Sequence, residues 1–244
     1  MRILVVSDLH ANPAALAAVR ERFDVCLCLG DIVEYGPDPV SCIQWVRDVG
    51  AITVRGNHDH GAAQEVETQG LSGFRYLTMA TRRATSPRLS PQDRRFLADL
   101  PTSRMLTLGG MRFLMVHASP RDPLDEYVAS DAESWAPRLA GVQADFVLAG
   151  HTHIPCHLKI GNVTVVNPGS VGLQRDGNPR AKYAIIEDGK VELKEVDYDA
   201  ESTIAEVQNG PLEPMAKKLL TEVYRVGRYV PLHSQSVLVR APSP

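Results

Sequence analysis

The chain has 244 residues, of which 44% are hydrophobic and 23% charged, and this composition excludes a disordered or membrane-embedded protein. Its formal net charge of −3 provides no broad basic surface, so we expect no extended duplex nucleic acid as a partner. No stretch approaches the ~20 consecutive apolar residues of a membrane span, and the N-terminus MRILVVSDLH has no long apolar leader. We therefore predict a cytoplasmic protein without membrane contacts. The composition does not indicate an oligomeric state.

The first third of the chain predicts alternating strands and helices. Residues 2–7 (RILVVS) and 24–29 (DVCLCL) are apolar runs of strand length, and between them Asn12 can cap a helix. A second helix is predicted from residue 39, and a third strand at 51–54 (AITV). This order is typical of a parallel sheet with crossover helices.

The cysteines are predicted to be free thiols, because a chain of this length with four of them does not resemble a disulfide scaffold. Cys26 and Cys28 are two residues apart, so on a strand they share a face. A metal-binding pair is one alternative. We favour a buried pair of small apolar side chains.

The remaining two thirds predict helices followed by short strands. Residues 59–100 favour helices, with a clear helix start at Ser90. After Pro101, short apolar runs separated by turns such as Gly161-Asn162 predict hairpins and a second sheet. The runs are RMLTL, RFLMVH, FVLAGH, VTVVNPGS, AKYAIIE and KVELKEV.

The end of the chain is predicted to belong to the same domain. The segment from residue 211 favours a closing amphipathic helix. We therefore predict one α/β domain over residues 1–244, built from two sheets with helices outside, in which residues 200–244 form a helical extension and tail.

Polar side chains gather just after the predicted strands. Because the carboxyl ends of parallel strands line the ligand crevice of an α/β sheet, we expect them to converge in space. Carboxylate, imidazole and amide groups together suit transition metals such as manganese, iron, zinc, nickel or cobalt. The stretch RGNHDH at 55–60 is interpreted as a loop that contributes to this site. The polar residues are Asp8, His10, Asp31, Asn57, His58, His117, His151 and His153.

Five motifs in order resemble those of the calcineurin-like metallophosphoesterases. They are D-x-H at 8–10, GDxxxxG at 30–36, GNHD at 56–59, VH at 116–117 and GHTH at 150–153. The resemblance covers residues 1–187, and the flanking text GDIVEYGPDP, HASPRDPLDEY and VNPGSVGLQRDG is similar to the small prokaryotic YfcE-like phosphodiesterase branch. It implies a two-sheet β-sandwich flanked by helices, with four layers in the order α/β/β/α.

The resemblance also implies a two-metal hydrolase of phosphate esters, with small phosphodiesters or nucleotides as substrates and a hydroxide that bridges the ions as the nucleophile. Manganese is the expected metal, and iron, zinc, nickel and cobalt are alternatives. One ion would be held by Asp8, His10, Asp31 and His153. The other would be held by Asp31, Asn57, His117 and His151, so that Asp31 is shared.

Residues beside these ligands also receive predicted roles. His58 matches the family's catalytic histidine. Glu34 stands where the phosphoprotein phosphatases have an aspartate that orients this histidine, and we predict an orienting role, with a solvated carboxylate as the alternative. Asp59 is predicted to cap the following helix and His60 to be a bystander.

The phosphate-binding arginine of the phosphoprotein phosphatases is replaced by Tyr35, which argues against a close copy of those enzymes. We predict that Arg121, Arg175 or Arg180 binds the substrate phosphate instead, with a solvated surface charge as the alternative for each.

Three other functions remain alternatives: a nuclease or a dinucleoside polyphosphate hydrolase of the same superfamily, and a non-catalytic metal-binding scaffold. The charge of the chain disfavours the nuclease. A scaffold would be expected to have lost ligands, whereas every expected ligand position is filled.

Overall fold

The computed structural model describes residues 1–67, 70 and 72–231, within which ten strands and eight α-helices are found. The strands are β1 (Arg2–Val6), β2 (Val25–Cys28), β3 (Ile52–Thr53), β4 (Ser103–Leu108), β5 (Met111–Val116), β6 (Phe146–Leu148), β7 (Cys156–Ile160), β8 (Val163–Asn167), β9 (Ala181–Glu187) and β10 (Lys190–Val196). The helices are α1 (Pro13–Ala18), α2 (Pro39–Asp48), α3 (Asn57–Ala63), α4 (Gly73–Thr85), α5 (Pro91–Asp99), α6 (Ala132–Trp135), α7 (Ala200–Asn209) and α8 (Pro214–Val226).

The first sheet has the strand order β10-β9-β1-β2-β3. β1, β2 and β3 run parallel, as predicted, whereas β9 pairs antiparallel with β1, placing Arg2 opposite Glu187. The β9–β10 hairpin was expected in the second sheet and this expectation is wrong. A hairpin pattern reports only the pairing of its own two strands, so it does not tell which sheet the pair joins.

The second sheet has the order β4-β5-β6-β8-β7. β7 pairs antiparallel with β8 across the predicted Gly161-Asn162 turn. It was not among the predicted strands, because the exposed polar side chains of His157 and Lys159 interrupt its apolar residues.

Alternating side chains of the strands fill two different cores. Ile3 and Val5 point between the sheets, where the rings of Phe113 and Phe146 stack with centroids 4.9 Å apart. Leu4 points to the other face of the first sheet, among α1, α2 and α5. The second sheet is covered on its outer face by a cluster that includes Trp135 of α6. The predicted four-layer sandwich is therefore confirmed.

The cysteines of β2 agree with the favoured interpretation. Cys26 and Cys28 lie together in the core beneath the helices, and all four cysteines are free and buried. Burial raises the pKa of Cys26 to about 12, so its thiol stays protonated at neutral pH.

The predicted C-terminal extension is helical as far as Val226 and is packed into the body of the protein. α7 and α8 share a buried cluster with Leu77 of α4 and with Tyr35, which lies in the GDxxxxG motif. The end of the predicted tail, residues 232–244, lies outside the described residues. In the described part of the chain no helix is long and apolar enough to cross a bilayer.

Candidate metal centre

The predicted site residues follow the carboxyl ends of the strands, and many of them have left-handed backbone conformations. Non-glycine residues rarely adopt positive φ, and a strained conformation of this kind costs on the order of 1–3 kcal/mol. Such conformations persist where the surrounding structure needs a side chain in a particular direction. The residues, with φ between 44° and 69°, are Asp8, His10, Asp31, Glu34, His151 and His153.

The GNHD motif forms the start of a helix. α3 begins at Asn57, so the interpretation of residues 55–60 as a loop is wrong beyond Gly56. The Asp59 carboxylate accepts hydrogen bonds from the backbone N–H of Gly56 (3.0 Å), Asp31 (2.8 Å) and Ile32 (2.8 Å). Asp59 thus caps α3 from its first turn, and it also ties this helix to the loop after β2.

Gly56 is required by the approach of α3 to Asp31. A Cβ atom on Gly56 would overlap the Asp31 carboxylate and its backbone nitrogen. The Asp31 Oδ1 atom accepts a hydrogen bond from the backbone N–H of His58 at 2.9 Å. The remaining oxygen, Oδ2, is therefore free to face the histidines.

Asp8, His10 and His153 form the first buried His/Asp group. His153 Nε2 lies 3.2 Å from Asp8 Oδ1 and 3.2 Å from His10 Nε2. The Nδ1–H of His10 donates to the carbonyl of Val33 at 3.1 Å, and that of His153 donates to the carbonyl of Leu173. Backbone bonds of this kind fix the tautomer and leave each Nε2 lone pair directed at the centre.

Asp31, His117 and His151 form a second group. His117 Nε2 is 3.1 Å from both Asp31 Oδ2 and Asn57 Oδ1, while its Nδ1–H donates to the carbonyl of Leu29 at 2.8 Å. The backbone N–H of His151 donates to Asp8 Oδ2 at 3.2 Å, which links the two groups. All seven predicted ligands are thus brought together.

The unsatisfied atoms of this centre fit divalent metal ions. Asp8 Oδ1, Asp31 Oδ2 and His151 Nε2 are buried and, when the neighbouring histidines carry their proton on Nδ1, have no hydrogen-bond partner among the described residues. Burying such groups unpaired is costly, and two neutral imidazoles whose lone pairs face each other at 3.2 Å repel. A cation between these atoms removes both penalties.

The pKa values of the histidines are consistent with this fit. Burial lowers the pKa of His10 and His153, and it lowers that of His151 to about 3, so these imidazoles are neutral as metal ligation requires. Burial also disfavours the charged form of His117, but the Asp31 carboxylate outweighs it and raises the pKa to about 9. A bound cation would take the place of that proton beside Asp31.

His58 stands at the edge of the centre with Glu34 behind it. Its Nε2 lies 3.8 Å from Asp31 Oδ2, and its Nδ1–H donates to Glu34 Oε2 at 2.5 Å. Burial opposes protonation, but Asp31 and Glu34 outweigh it and raise the pKa of His58. The Glu34 side chain is 1% exposed, so the alternative of a solvated carboxylate does not apply.

Arg175 lies beside the cluster. Its guanidinium stacks over the Phe74 ring at 4.2 Å and donates to the Tyr127 hydroxyl at 2.9 Å, while its Nε is buried without a hydrogen-bond partner among the described residues. By contrast, Arg121 is 61% exposed and pairs with Glu126. Arg180 binds carboxylates on and just after β10, Glu195 and Asp197.

Two further residues near the centre were not predicted. Asp125 Oδ1 is 3.7 Å from His151 Nε2, and the Tyr127 ring lies 4.1 Å from the His151 ring. Both belong to the loop after β5, which has no periodic pattern. Two signals were available: the position of this loop directly after His117, and the flanking text HASPRDPLDEY, which contains both residues. His60, predicted to be a bystander, belongs to none of the His/Asp groups in the described part of the chain.

The calcineurin-like phosphoesterase superfamily domain matches residues 1–189, and the chain belongs to this family. A metallophosphoesterase from Sphaerobacter thermophilus of known structure is 31% identical, with a TM-score of 0.77, over 93% of this chain and 99% of that one. The uncharacterised protein MJ0912 of Methanocaldococcus jannaschii is 30% identical over 81% of this chain and 88% of its own length.

The phosphodiesterase YfcE of Escherichia coli is 24% identical over 86% of this chain and its full length. The predicted resemblance to the calcineurin-like family and its YfcE-like branch is therefore confirmed. The protein is a phosphoesterase, and its His/Asp groups are suited to divalent metal ions.

Proposed function

We propose that this protein hydrolyses small phosphodiesters or nucleotides with two divalent metal ions, and that manganese is the preferred metal. The observation that carries this proposal is the position of Asp31. Its Oδ2 atom lies 3.1 Å from His117 Nε2 and 3.9 Å from His10 Nε2, between the two ligand groups. When bound, the ions would supply Lewis-acid activation of water and neutralise charge on the phosphate.

The side chains would divide between the two ions as follows. Asp8, His10 and His153 would hold one ion and Asn57, His117 and His151 the other, while the Asp31 carboxylate would serve both. A shared anion would offset the repulsion between two neighbouring cations.

His58 would act on the leaving group. Because Nδ1–H is fixed on Glu34, the Nε2 atom is the one directed at the centre, where it can hold a proton for the departing oxygen. Its distance of 3.8 Å from Asp31 Oδ2 also allows a ligand role, which the experiment below separates from acid catalysis.

Arg175 would bind the substrate phosphate. Its buried Nε has a free hydrogen to donate, and stacking on Phe74 holds the guanidinium plane in place. A small substrate is favoured because the net charge of −3 disfavours binding of a long polyanion.

The test combines metal analysis with two substrates of different leaving-group ability. We expect wild type to bind close to two equivalents of manganese and His58→Ala to keep them. His58→Ala should lose roughly 10²–10⁴ in kcat for a nucleotide diester, whose leaving oxygen needs a proton. The loss should be smaller for bis-nitrophenyl phosphate, because nitrophenolate leaves without one.

Each alternative outcome has a definite meaning. One equivalent of metal or none in folded wild type would contradict the two-metal proposal. Loss of an ion from His58→Ala would make His58 a ligand. Equal losses on both esters would point to electrostatic stabilisation of the phosphate in place of proton donation.

A further inference from the structure

Glu34 has a second partner besides His58. Its Oε2 accepts from His58 Nδ1 at 2.5 Å, and its Oε1 accepts from Nε of Arg82 on α4. The Glu34 side chain is 1% exposed and that of Arg82 is 14% exposed. Each carboxylate oxygen is thus bonded to a different, largely buried side chain.

Arg82 reaches Glu34 by passing against α3, the helix that carries His58. A Cβ atom on Gly61 of this helix would overlap the terminal nitrogens of Arg82. Glycine inside a helix costs roughly 0.5–1 kcal/mol relative to alanine, and at position 61 it leaves room for the guanidinium, which a larger residue would have to displace. Arg82 Nη1 also donates to the carbonyl of Val66, just after α3.

The same helix α4 holds the residue after Glu34. The Thr81 hydroxyl oxygen accepts from the backbone N–H of Tyr35 at 3.1 Å, and the Tyr35 hydroxyl is 2.9 Å from that of Thr78. Glu34 and Tyr35 have positive φ values of 69° and 60°. α4 therefore supports this strained turn through hydrogen bonds to the backbone of the turn and to its side chains.

We propose that Arg82 is a positioning residue, which acts through Glu34 to hold the His58 imidazole in the orientation that proton transfer requires. This inference rests on the proposed function of His58. A carboxylate rotates easily about its terminal torsion, and Arg82 fixes it by a charge-assisted bond to the oxygen that His58 does not use. Without Arg82, the Glu34 carboxylate and then the imidazole would lose their alignment.

The kinetic test compares Arg82→Gln and Arg82→Lys with Arg83→Gln, a matched loss of charge at the next position of α4. Misplacement of a catalytic group by about 1 Å can cost as much as about 10²-fold. We therefore expect Arg82→Gln to lose about 10- to 100-fold in kcat for a nucleotide diester. The KM should stay within about twofold and both metal ions should be retained, because the bonds from Arg82 to Glu34 and to the Val66 carbonyl involve no metal ligand. Arg82→Lys should fall between Arg82→Gln and wild type, and Arg83→Gln should resemble wild type.

A double-mutant cycle tests whether Arg82 acts through Glu34. In a Glu34→Gln background, Arg82→Gln should cause no further loss in kcat, since the carboxylate that it orients is gone. An additional loss of the full size in that background would overturn the inference. So would an unchanged kcat in Arg82→Gln.

A spectroscopic readout separates this inference from the proposed function. In the zinc-loaded protein, the proton between His58 Nδ1 and Glu34 should give a downfield NMR signal that is absent from His58→Ala. We expect this signal to shift or broaden in Arg82→Gln and to stay in place in Arg83→Gln. An unchanged signal would contradict the role of Arg82. If wild type hydrolyses no ester, the proposed function fails while this comparison still decides whether Arg82 positions His58. Arg82→Lys provides the same comparison if Arg82→Gln does not fold.

Discussion

The two ends of the sheets differ in which residues adopt left-handed backbone conformations. At the metal-centre end, Asp8, Asp31 and His151 have φ values of 54°, 54° and 66°. At the opposite end, Gly109 and Gly161 have φ values of 55° and 57° in the β4–β5 and β7–β8 hairpin turns. These two turns need no particular side chain, and glycine makes them without steric strain. The β9–β10 turn at the same end is an exception, because Asp188 has a φ of 49°. Where a ligand is needed as well, the side chain is kept and the strain is accepted.

The largest effect is expected at the ligand end, from Asp31→Asn. This change keeps the shape of the side chain and removes the charge that would serve both ions, so kcat should fall by on the order of 10²-fold or more, together with the bound metal. Steady-state kinetics and metal analysis measure both losses. The control is Cys26→Ala in the core beneath the helices, which should keep activity while losing about 1 kcal/mol of stability. Similar activity losses in the two folded variants would contradict the assignment of Asp31.

The second prediction concerns stability with and without metal. Ions that bind only the folded protein stabilise it by about 2.7 kcal/mol at a concentration of 100 times Kd. Thermal unfolding after chelation and after manganese addition should therefore show a clear rise in Tm with the metal. Asp31→Asn should show a smaller rise, whereas a hairpin variant such as Gly161→Ala should show the full rise. Equal Tm values for chelated and manganese-loaded wild type would contradict this prediction.

The third prediction is a pH dependence in the loop that follows β5. Glu126 accepts hydrogen bonds from Ser119 and Arg138 and pairs with Arg121, and these partners outweigh burial and lower its pKa to about 2. Because the folded pKa lies below the ordinary value of 4.5, the stabilisation is fully present above that value and disappears as the pH falls towards about 2.

Glu126→Gln should therefore lower the unfolding free energy by about 1–2 kcal/mol at neutral pH, a figure reduced by the solvent exposure of Arg121. Urea unfolding at about pH 7 and about pH 3 should show the difference from wild type shrinking with acid. The exposed Glu133→Gln serves as the control. A difference that is the same at both pH values would show that the charge of Glu126 is not its source.

At the hairpin end, Gly161 is expected to give an effect on stability of similar size and no effect on activity. Alanine at this left-handed position should cost roughly 1–2 kcal/mol, and asparagine less, because asparagine tolerates this conformation. No atom would obstruct a Cβ within 4 Å, so the backbone alone determines the cost. Metal content and kcat should not change in either variant. An equal stability of Gly161→Ala and wild type would contradict the claim that the hairpin turns need glycine to avoid backbone strain.

The metal centre could be predicted because its residues follow apolar runs directly. Asp8, Asp31 and His117 each come within three residues of a strand end, and the carboxyl ends of parallel strands meet at one edge. The start of α3 was missed because Asn and Asp are poor inside helices. Yet the first turn favours acidic residues, and Asp59 three positions after Gly56 was the available signal.

Contacts between distant segments could not be predicted. Arg82 and Glu34 are 48 residues apart, and their pairing depends on how the Arg82 side chain of α4 passes Gly61 of α3. Each of these elements has an amphipathic or capping pattern of its own, but neither pattern specifies its neighbour. The same reason explains why the sheet joined by β9 and β10 was wrongly predicted.

The central place of β1 in its sheet has a consequence for how the protein is made. β2 becomes available soon after β1, whereas β9, on the other side of β1, begins only at Ala181. Arg2 and Glu187, which face each other across this pair, are 185 residues apart. Because the ribosome delivers β1 long before β9, one edge of β1 stays unpaired until β9 has emerged. An open strand edge favours pairing with other chains, so the nascent protein depends on the late synthesis of β9 to cover this edge of β1.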